Sequence, residues 1–197
     1  MKRIGLTGSI AAGKSTVAAR LRELGAFVLD ADEASKALSA KASPLLAQIE
    51  QSFGAQVITA DGSLDRRLLS SIVFANEDAR RKLEAIMHPA IKKRLLEMEK
   101  ERGNANIIVY DVPLLFETGM HESMDEVWVV DAPKKTRIER LAARNGLRRT
   151  EAEQRLSAQM NDEEKRKRAD VVIENDGTRE ELLRKVDSLW QKESGSF

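Results

Sequence analysis

The eight residues from Gly8 to Ser15 constrain this chain more than any other part of its sequence. They read Gly-Ser-Ile-Ala-Ala-Gly-Lys-Ser and match the pattern Gly-x-x-x-x-Gly-Lys-[Ser/Thr]. In such a loop the glycines let the backbone curl, so that successive N–H groups point at phosphate oxygens. An apolar strand is predicted before the loop, at residues 4–7, and an amphipathic helix after it, at residues 15–24. The sequence therefore predicts a phosphate-binding loop, or P-loop, between a strand and a helix.

The same pattern assigns a contact to each part of the loop. Lys14 is predicted to reach the β and γ phosphates of a nucleotide, and the Ser15 hydroxyl to ligate Mg²⁺. Asp111 ends an apolar strand at residues 106–110 in the manner of a Walker-B carboxylate, or else it is a turn residue. The expected cofactors are ATP and Mg²⁺, with Ser15 and Asp111 as metal-site residues. The nucleotide-binding residues predicted in the loop are Gly8, Ala11, Ala12, Gly13, Lys14, Ser15 and Thr16.

Five short apolar runs alternate with helical segments along the chain. They lie at residues 4–7, 27–29, 106–110, 126–130 and 171–174. Nearly continuous apolar runs are typical of a parallel sheet covered on both faces. The prediction is an α/β fold with a P-loop NTPase core, whose five-stranded parallel sheet is flanked by helices. Four of the strands end in Thr7, Asp30, Asp111 and Asp131, at the edge where ligands bind in such sheets.

Local signals predict where some helices begin and where the chain turns. Capping boxes are predicted at Thr150 with Glu153 and at Thr178 with Glu181. A long helix-rich section follows the second strand, from about residue 33 to residue 102. It contains two turn signals, one at Asp61-Gly62 and one at His88-Pro89.

Composition excludes several classes of protein. The 33 Lys and Arg residues balance 32 Asp and Glu residues, so net charge gives no support to a nucleic-acid partner. The absence of Cys excludes disulfides, thiolate metal sites and cysteine nucleophiles. No stretch approaches the roughly 18 apolar residues of a membrane span, nor the roughly 7–15 of a secretory leader. We expect a cytoplasmic protein with no membrane or nucleic-acid partner, as a monomer or small homo-oligomer.

Three classes of P-loop protein remain to be distinguished. A GTPase switch would need Asn-Lys-x-Asp and Asp-x-x-Gly motifs, and the sequence contains neither. A motor or helicase is disfavoured by the short chain and by an aromatic content of only 4%. A small-molecule kinase needs a carboxylate near the acceptor, a substrate-binding section and arginines over the transferred phosphoryl group. The sequence can supply all three.

Candidate residues for these kinase parts each have a second interpretation. Asp30 and Asp32 follow the second strand and could orient an acceptor hydroxyl, or they could cap the next helix. Arg137, Arg140 and Arg144 follow the fourth strand at helical spacing, with Arg140 and Arg144 one turn apart. They could neutralise phosphoryl charge, or they could form a solvated helix face. Arg148 and Arg149 carry the same two interpretations.

Taken together, these segments resemble the dephospho-CoA kinase family over almost the whole chain. The specific matches are the segments Asp30-Ala31-Asp32, His88-Pro89, Asp111-Val112-Pro113-Leu114-Leu115-Phe116-Glu117, Arg144-Asn145-Gly146-Leu147, Ala158-Gln159-Met160 and Ala169 to Asn175. The resemblance implies phosphorylation of the ribose 3′-hydroxyl of dephospho-CoA by ATP, giving coenzyme A and ADP. In the P-loop, Ser9, Ala11 and Ala12 stand where the family often has Gly, Gly and Ser. Alanine there still leaves the backbone N–H groups available.

The resemblance also implies roles and domains. Asp32 matches the proposed base, and Lys14, Asp32 and Arg140 are the expected catalytic residues. The acceptor side is matched by Thr7, His88, Pro113, Leu114, Leu115 and Glu117. Arg144 matches the lid side of the phosphates, while Asn175 and Gly177 match the loop beside adenine. The implied domains are a nucleotide core at 1–34, 106–137 and 169–197, a helical CoA domain at 35–105 and a lid at 138–168.

Without the resemblance, the residue spacing predicts only a small-molecule kinase. A nucleoside-monophosphate kinase would share the same parts and differ in its acceptor. A non-catalytic ATP-binding regulator is the more distant alternative, and Asp32 with the arginine pair argues against it.

Overall fold

The computed structural model describes residues 1–157 and 159–195. Ala158, in the predicted lid, and residues 196–197, in the predicted core, lie outside the described residues. The chain forms two compact units. The first is Met1–Leu29 with Arg102–Phe197, and the second is Asp30–Glu101, where the sequence predicts a helical domain at 35–105.

A five-stranded sheet with neighbouring strands in the order β2-β3-β1-β4-β5 is the centre of the fold. The strands are β1 (Lys2–Gly8), β2 (Phe27–Asp30), β3 (Ile107–Asp111), β4 (Glu126–Asp131) and β5 (Val171–Glu174). Strand β1 pairs in parallel with both β3 and β4, and β4 pairs in parallel with β5. Leu6 lies opposite Asp111, so β1 and β3 end together and Asp111 comes beside the start of the P-loop. The predicted α/β fold with a parallel sheet is confirmed.

Helices occupy most of the rest of the described chain. They are α1 (Lys14–Glu23), α2 (Ala31–Leu38), α3 (Pro44–Phe53), α4 (Arg66–Ala75), α5 (Glu77–Glu99), α6 (Lys134–Asn145), α7 (Arg149–Ser157), α8 (Asp162–Lys167) and α9 (Arg179–Ser194). Short 3₁₀ turns lie at Ala55–Val57 and Met120–Ser123. Among the described residues, no helix is both long and apolar enough to cross a membrane.

The main core of the first unit lies between the sheet and two helices. Trp128 and Ile4, from adjacent strands, are fully buried, as is Leu21 of α1. Helix α9 packs its buried Leu182 and Val186 into the same cluster. This packing fixes α1, and therefore the P-loop that precedes it, against the sheet.

The second unit packs α5 against a smaller apolar cluster that includes Ile49 and Leu69. The turn predicted at His88-Pro89 is wrong, because Pro89 lies inside the 23-residue helix α5. Proline removes one backbone hydrogen bond there. Met87 and Ala90, on either side of it, both pack against the cluster, and this packing carries the helix through.

The two predicted capping boxes have different outcomes. Thr178 accepts a hydrogen bond from the Glu181 N–H, and Glu181 accepts one from the Thr178 N–H, which confirms the box at the start of α9. The box predicted at Thr150 is wrong. Helix α7 begins at Arg149, and the Glu151 carboxylate accepts from the Arg148 N–H instead. The helix therefore starts before Thr150, which lies in its first turn.

Candidate active site

The P-loop runs from the end of β1 into α1 and approaches its neighbours closely. A Cβ placed on Gly8 would lie 2.5 Å from the Val130 carbonyl oxygen, so only glycine fits beside β4. Gly13 has a φ of 104° and caps α1, and Ala11 has a φ of 61°. This left-handed conformation costs an L-residue such as Ala11 about 1–2 kcal/mol. The loop must therefore be held in shape by its surroundings.

Asn175 is one of the residues that hold the loop. Its side-chain amide donates a hydrogen bond of 2.8 Å to the Ala12 carbonyl, and its backbone N–H donates to the Asp131 carbonyl at 2.7 Å. A Cβ on Gly13 would lie 2.3 Å from this amide nitrogen. Asn175 therefore ties the end of β5 to the P-loop.

Lys14 and Asp111 meet where β1 and β3 end. The Lys14 ammonium forms an ion pair with the Asp111 carboxylate, which is only 3% exposed. A charge that deeply buried needs a partner of opposite sign, and Lys14 supplies it. The strand register thus brings together two residues that are 97 positions apart in the sequence.

The residues around this pair fit a magnesium ion that is held largely by phosphate. Mg²⁺ is typically bound through one or two carboxylates, phosphate oxygens and water, and Asp111 with the exposed Ser15 hydroxyl is such a donor set. No group of three or more His, Cys, Asp or Glu residues able to hold a metal occurs in the part of the chain that the structure describes.

A cavity of about 300 Å³ opens beside the P-loop and carries a strong positive charge. Arg140, Arg144 and Arg179 all line it, with no acidic residue among the lining residues. The rest of its lining is Ala11, Gly13, Ser15, Thr16, Asn175 and Leu182. Within the described residues, no carboxylate pairs with any of the three guanidinium groups. Guanidinium groups are strong hydrogen-bond donors to phosphate oxygens, so this lining is suited to a polyphosphate.

The other candidate arginines have different surroundings. Arg137 is 3% exposed and pairs with Asp162, so its guanidinium is part of the interior. Arg149 pairs with Glu153 within α7, and Arg148, just before α7, pairs with Glu151, both at the surface. Arg140 and Arg144 thus line the cavity beside the P-loop, whereas the other three guanidinium groups are paired with carboxylates.

The segment predicted to face the acceptor is anchored at both ends. Buried Thr7 donates its hydroxyl to the Pro113 carbonyl at 3.1 Å. Leu115 is fully buried and lies against Gly5, so its side chain belongs to the core. The Glu117 carboxylate accepts from the Met160 N–H and lies 3.6 Å from the ammonium of Lys165. Leu114 is 37% exposed and available for contact.

Two other strand-end carboxylates are occupied by structural contacts. Asp30 caps α2 by accepting from the N–H groups of Asp32 and Glu33. Asp131 accepts from Arg166 at 2.6 Å, and Arg166 also bonds Glu174 at 2.8 Å. These contacts with Glu174 and Asp131 raise the pKa of Arg166 above its usual value.

Two further predicted residues lie in the second unit. Asp32 is exposed in the first turn of α2, and because Asp30 serves as the cap, the Asp32 carboxylate is left for another role. His88 is half-buried within α5.

Residue spacing missed Arg179, Leu182, Gln159 and Asp162 as residues of this site. The capping box at Thr178 could have identified Arg179, because it places that side chain in the first turn of α9 beside the loop at Asn175 and Gly177. Gln159 lies in a segment that matches the family, but no local pattern gives Gln159 or Asp162 a role, since their contacts to the P-loop span about 150 residues.

The chain is similar to known proteins along nearly its whole length. The chain is 46% identical to the dephospho-CoA kinase of Geobacter sulfurreducens, over 98% of both chains. A crystal structure from Thermus thermophilus matches with a TM-score of 0.83 and 39% identity, over 97% of both chains. The dephospho-CoA kinase of Campylobacter jejuni matches with a TM-score of 0.73 and 29% identity, over 99% of this chain and 98% of that one. These matches confirm the P-loop kinase fold, and a family model that matches residues 2–181 shows that this chain belongs to the dephospho-CoA kinase family.

Proposed function

We propose that this protein transfers the γ-phosphoryl group of ATP to the ribose 3′-hydroxyl of dephospho-CoA, giving coenzyme A and ADP. The nucleotide half of the proposal is supported by the cavity beside the P-loop, which is lined by three arginines without a carboxylate partner. The acceptor half is supported by membership of the family.

Phosphoryl transfer depends mainly on positioning and on stabilising charge. In this chain the P-loop amides and the start of α1 would hold the phosphates. Lys14 would exchange its pairing with Asp111 for contact with the β and γ phosphates. Arg140, Arg144 and Arg179 would stabilise the charge that develops on the transferred group.

Ser15 and Asp111 would hold a magnesium ion at the end of β3. When bound, Mg²⁺ neutralises charge on the phosphate oxygens. Asp111 would then contact the metal's water shell instead of Lys14. Both members of the ion pair would thus change partners when Mg-ATP binds.

Asp32 would orient the acceptor hydroxyl and accept its proton. Its exposure supports this role, as does the presence of a separate cap at Asp30. Exposed Leu114 and the Glu117 carboxylate would contact the acceptor, together with His88, while buried Thr7 would position Pro113.

The experiment is release of ADP from Mg-ATP in the presence of dephospho-CoA, with AMP, CMP and no acceptor as parallel reactions. We expect turnover with dephospho-CoA alone. Turnover only with AMP or CMP would retain the kinase chemistry and overturn the acceptor. ATP binding without turnover on any acceptor would favour a non-catalytic regulator.

A further inference from the structure

The tip of the P-loop is bonded to the segment between α7 and α8. The side-chain oxygen of Gln159 accepts the backbone N–H of Ile10 at 2.8 Å. The hydroxyl of Ser9 donates to one carboxylate oxygen of Asp162, at the start of α8. Two successive loop residues are thus held by two side chains that lie three positions apart.

The side chain of Asp162 is held in turn by a buried arginine. Its second carboxylate oxygen accepts from the guanidinium of Arg137, which is 3% exposed. Arg137 also donates from Nε to the Ala132 carbonyl at 2.9 Å, just beyond the end of β4. The hydroxyl of Ser9 is therefore connected through one carboxylate to a buried cation anchored on the sheet.

An apolar contact reinforces these bonds. Ile10 and Ala11 pack against a cluster whose buried members include Leu141 of α6 and Leu156 of α7. The same α6 carries Arg140 and Arg144 toward the cavity. Helix α6 therefore both contacts the loop tip and carries the two arginines that line the cavity.

The conformation of the loop explains why such support is needed. Ala11 holds a left-handed φ of 61° without the freedom of glycine. Strained residues of this kind persist only where the surrounding structure over-determines them. The bonds at Ser9 and Ile10 lie immediately before Ala11, and the bond from Asn175 to Ala12 lies immediately after it.

We propose that Gln159 and Asp162 are positioning residues of the nucleotide site, which hold the P-loop tip in its phosphate-binding shape through Ile10 and Ser9. They raise nucleotide affinity, because a loop that is already ordered loses less conformational entropy when the nucleotide binds. This inference rests on one part of the proposed function, namely that the P-loop binds a nucleotide.

The decisive variant is the double substitution Ser9→Ala with Gln159→Ala. It removes both bonds to the loop and leaves the pair between Arg137 and Asp162 in place. We expect ADP to bind about tenfold more weakly in calorimetry at fixed Mg²⁺, which corresponds to about 1.4 kcal/mol. The KM for ATP should rise in parallel while kcat changes less, and the thermal midpoint should stay near that of the parent.

The matched control is Ser157→Ala with Gln154→Ala, in α7 just before the same segment. Both side chains are exposed, and the Ser157 hydroxyl bonds only within α7, to the Gln154 carbonyl. This control should leave ADP affinity unchanged. Equal ADP affinity in the two double variants would overturn the proposal, and so would weaker binding that only follows a fall in the thermal midpoint.

Tighter ADP binding in the Ser9 and Gln159 variant would also overturn the proposal, since Gln159 would then compete with phosphate for the Ile10 N–H. A second variant, Asp162→Asn, keeps an oxygen for one partner and removes the charge. We expect it to weaken ADP binding in the same direction. Because ADP binding is measured without any acceptor, a parent protein that binds ADP but leaves dephospho-CoA unchanged would refute the proposed function without refuting the positioning role.

Discussion

At the scale of single residues, neighbouring side chains of the same type have separate roles. Asp30 caps α2, whereas Asp32, two positions later, is exposed and is not needed as a cap. Arg137 is buried against Asp162, whereas Arg140, three positions later, lines the cavity beside the P-loop. Sequence spacing found these residues but could not separate their roles. The cap depends on the residue at which α2 begins, and the pairing of Arg137 depends on Asp162, 25 positions away.

The first residue-scale prediction concerns Asp32. Asp32→Asn should lower kcat by about 10²–10⁴-fold, the usual range for a positioned acid or base. Steady-state kinetics with dephospho-CoA measures this effect. Asp30→Asn is the control, because Asn caps a helix about as well as Asp, and it should keep near-normal turnover. A similar loss in both variants would indicate that Asp32 acts through the structure of α2.

The second residue-scale prediction concerns Arg179. Arg179→Ala should raise the KM for ATP by about ten- to a hundredfold, because a hydrogen bond to a charged group contributes about 1.5–3 kcal/mol. Initial rates at varied ATP measure the change. Arg149→Ala, which removes an exposed arginine paired with Glu153, should leave this KM unaltered. An unchanged KM in the Arg179 variant would remove that residue from the nucleotide site.

At the scale of elements, the helix ends show which features a local sequence pattern can predict and which it cannot. The box at Thr178 could be predicted because its reciprocal bonds join two residues that are only three positions apart. The box at Thr150 failed because α7 starts earlier, with Glu151 bonded to Arg148. Pro89 was misleading because packing of Met87 and Ala90 continues α5 through a residue that usually ends a helix. Such packing lies outside the local sequence window.

The element-scale prediction concerns pH and the cap of α9. Hydrogen bonds from the N–H and hydroxyl of Thr178 hold the pKa of Glu181 below its usual value. A lowered folded-state pKa stabilises the protein above the unfolded pKa of about 4.3, and this stabilisation is lost as pH falls through the folded-state value. Glu181→Gln should therefore reduce stability at pH 7 and make less difference at pH 3, as measured by urea unfolding.

Glu180→Gln is the control for the cap, since it removes a charge from the same helix turn without touching Thr178. It should have the smaller effect at pH 7. A gap between parent and Glu181→Gln that is as wide at pH 3 as at pH 7 would contradict the role of the charged carboxylate.

At the scale of the whole molecule, the sheet and the P-loop could be predicted, and the charge distribution could not. Apolar runs identified all five strands, since burial on both faces shows directly in the sequence. The net charge of +1 gave no sign of a cavity lined by three arginines without a carboxylate partner, because Arg140 and Arg144 of α6 are brought to Arg179 of α9 by the tertiary fold. The contacts of Gln159 and Asp162 with the loop depend equally on that assembly.

The central claim is transfer of a phosphoryl group to one hydroxyl of dephospho-CoA. The most direct measurement is identification of the product formed with Mg-ATP, by mass spectrometry before and after treatment with a 3′-nucleotidase. We predict a product that gains one phosphate, and loses it again on treatment, in equal amount to the ADP released. A phosphate that resists the nucleotidase, or ADP release without any phosphorylated product, would contradict the account.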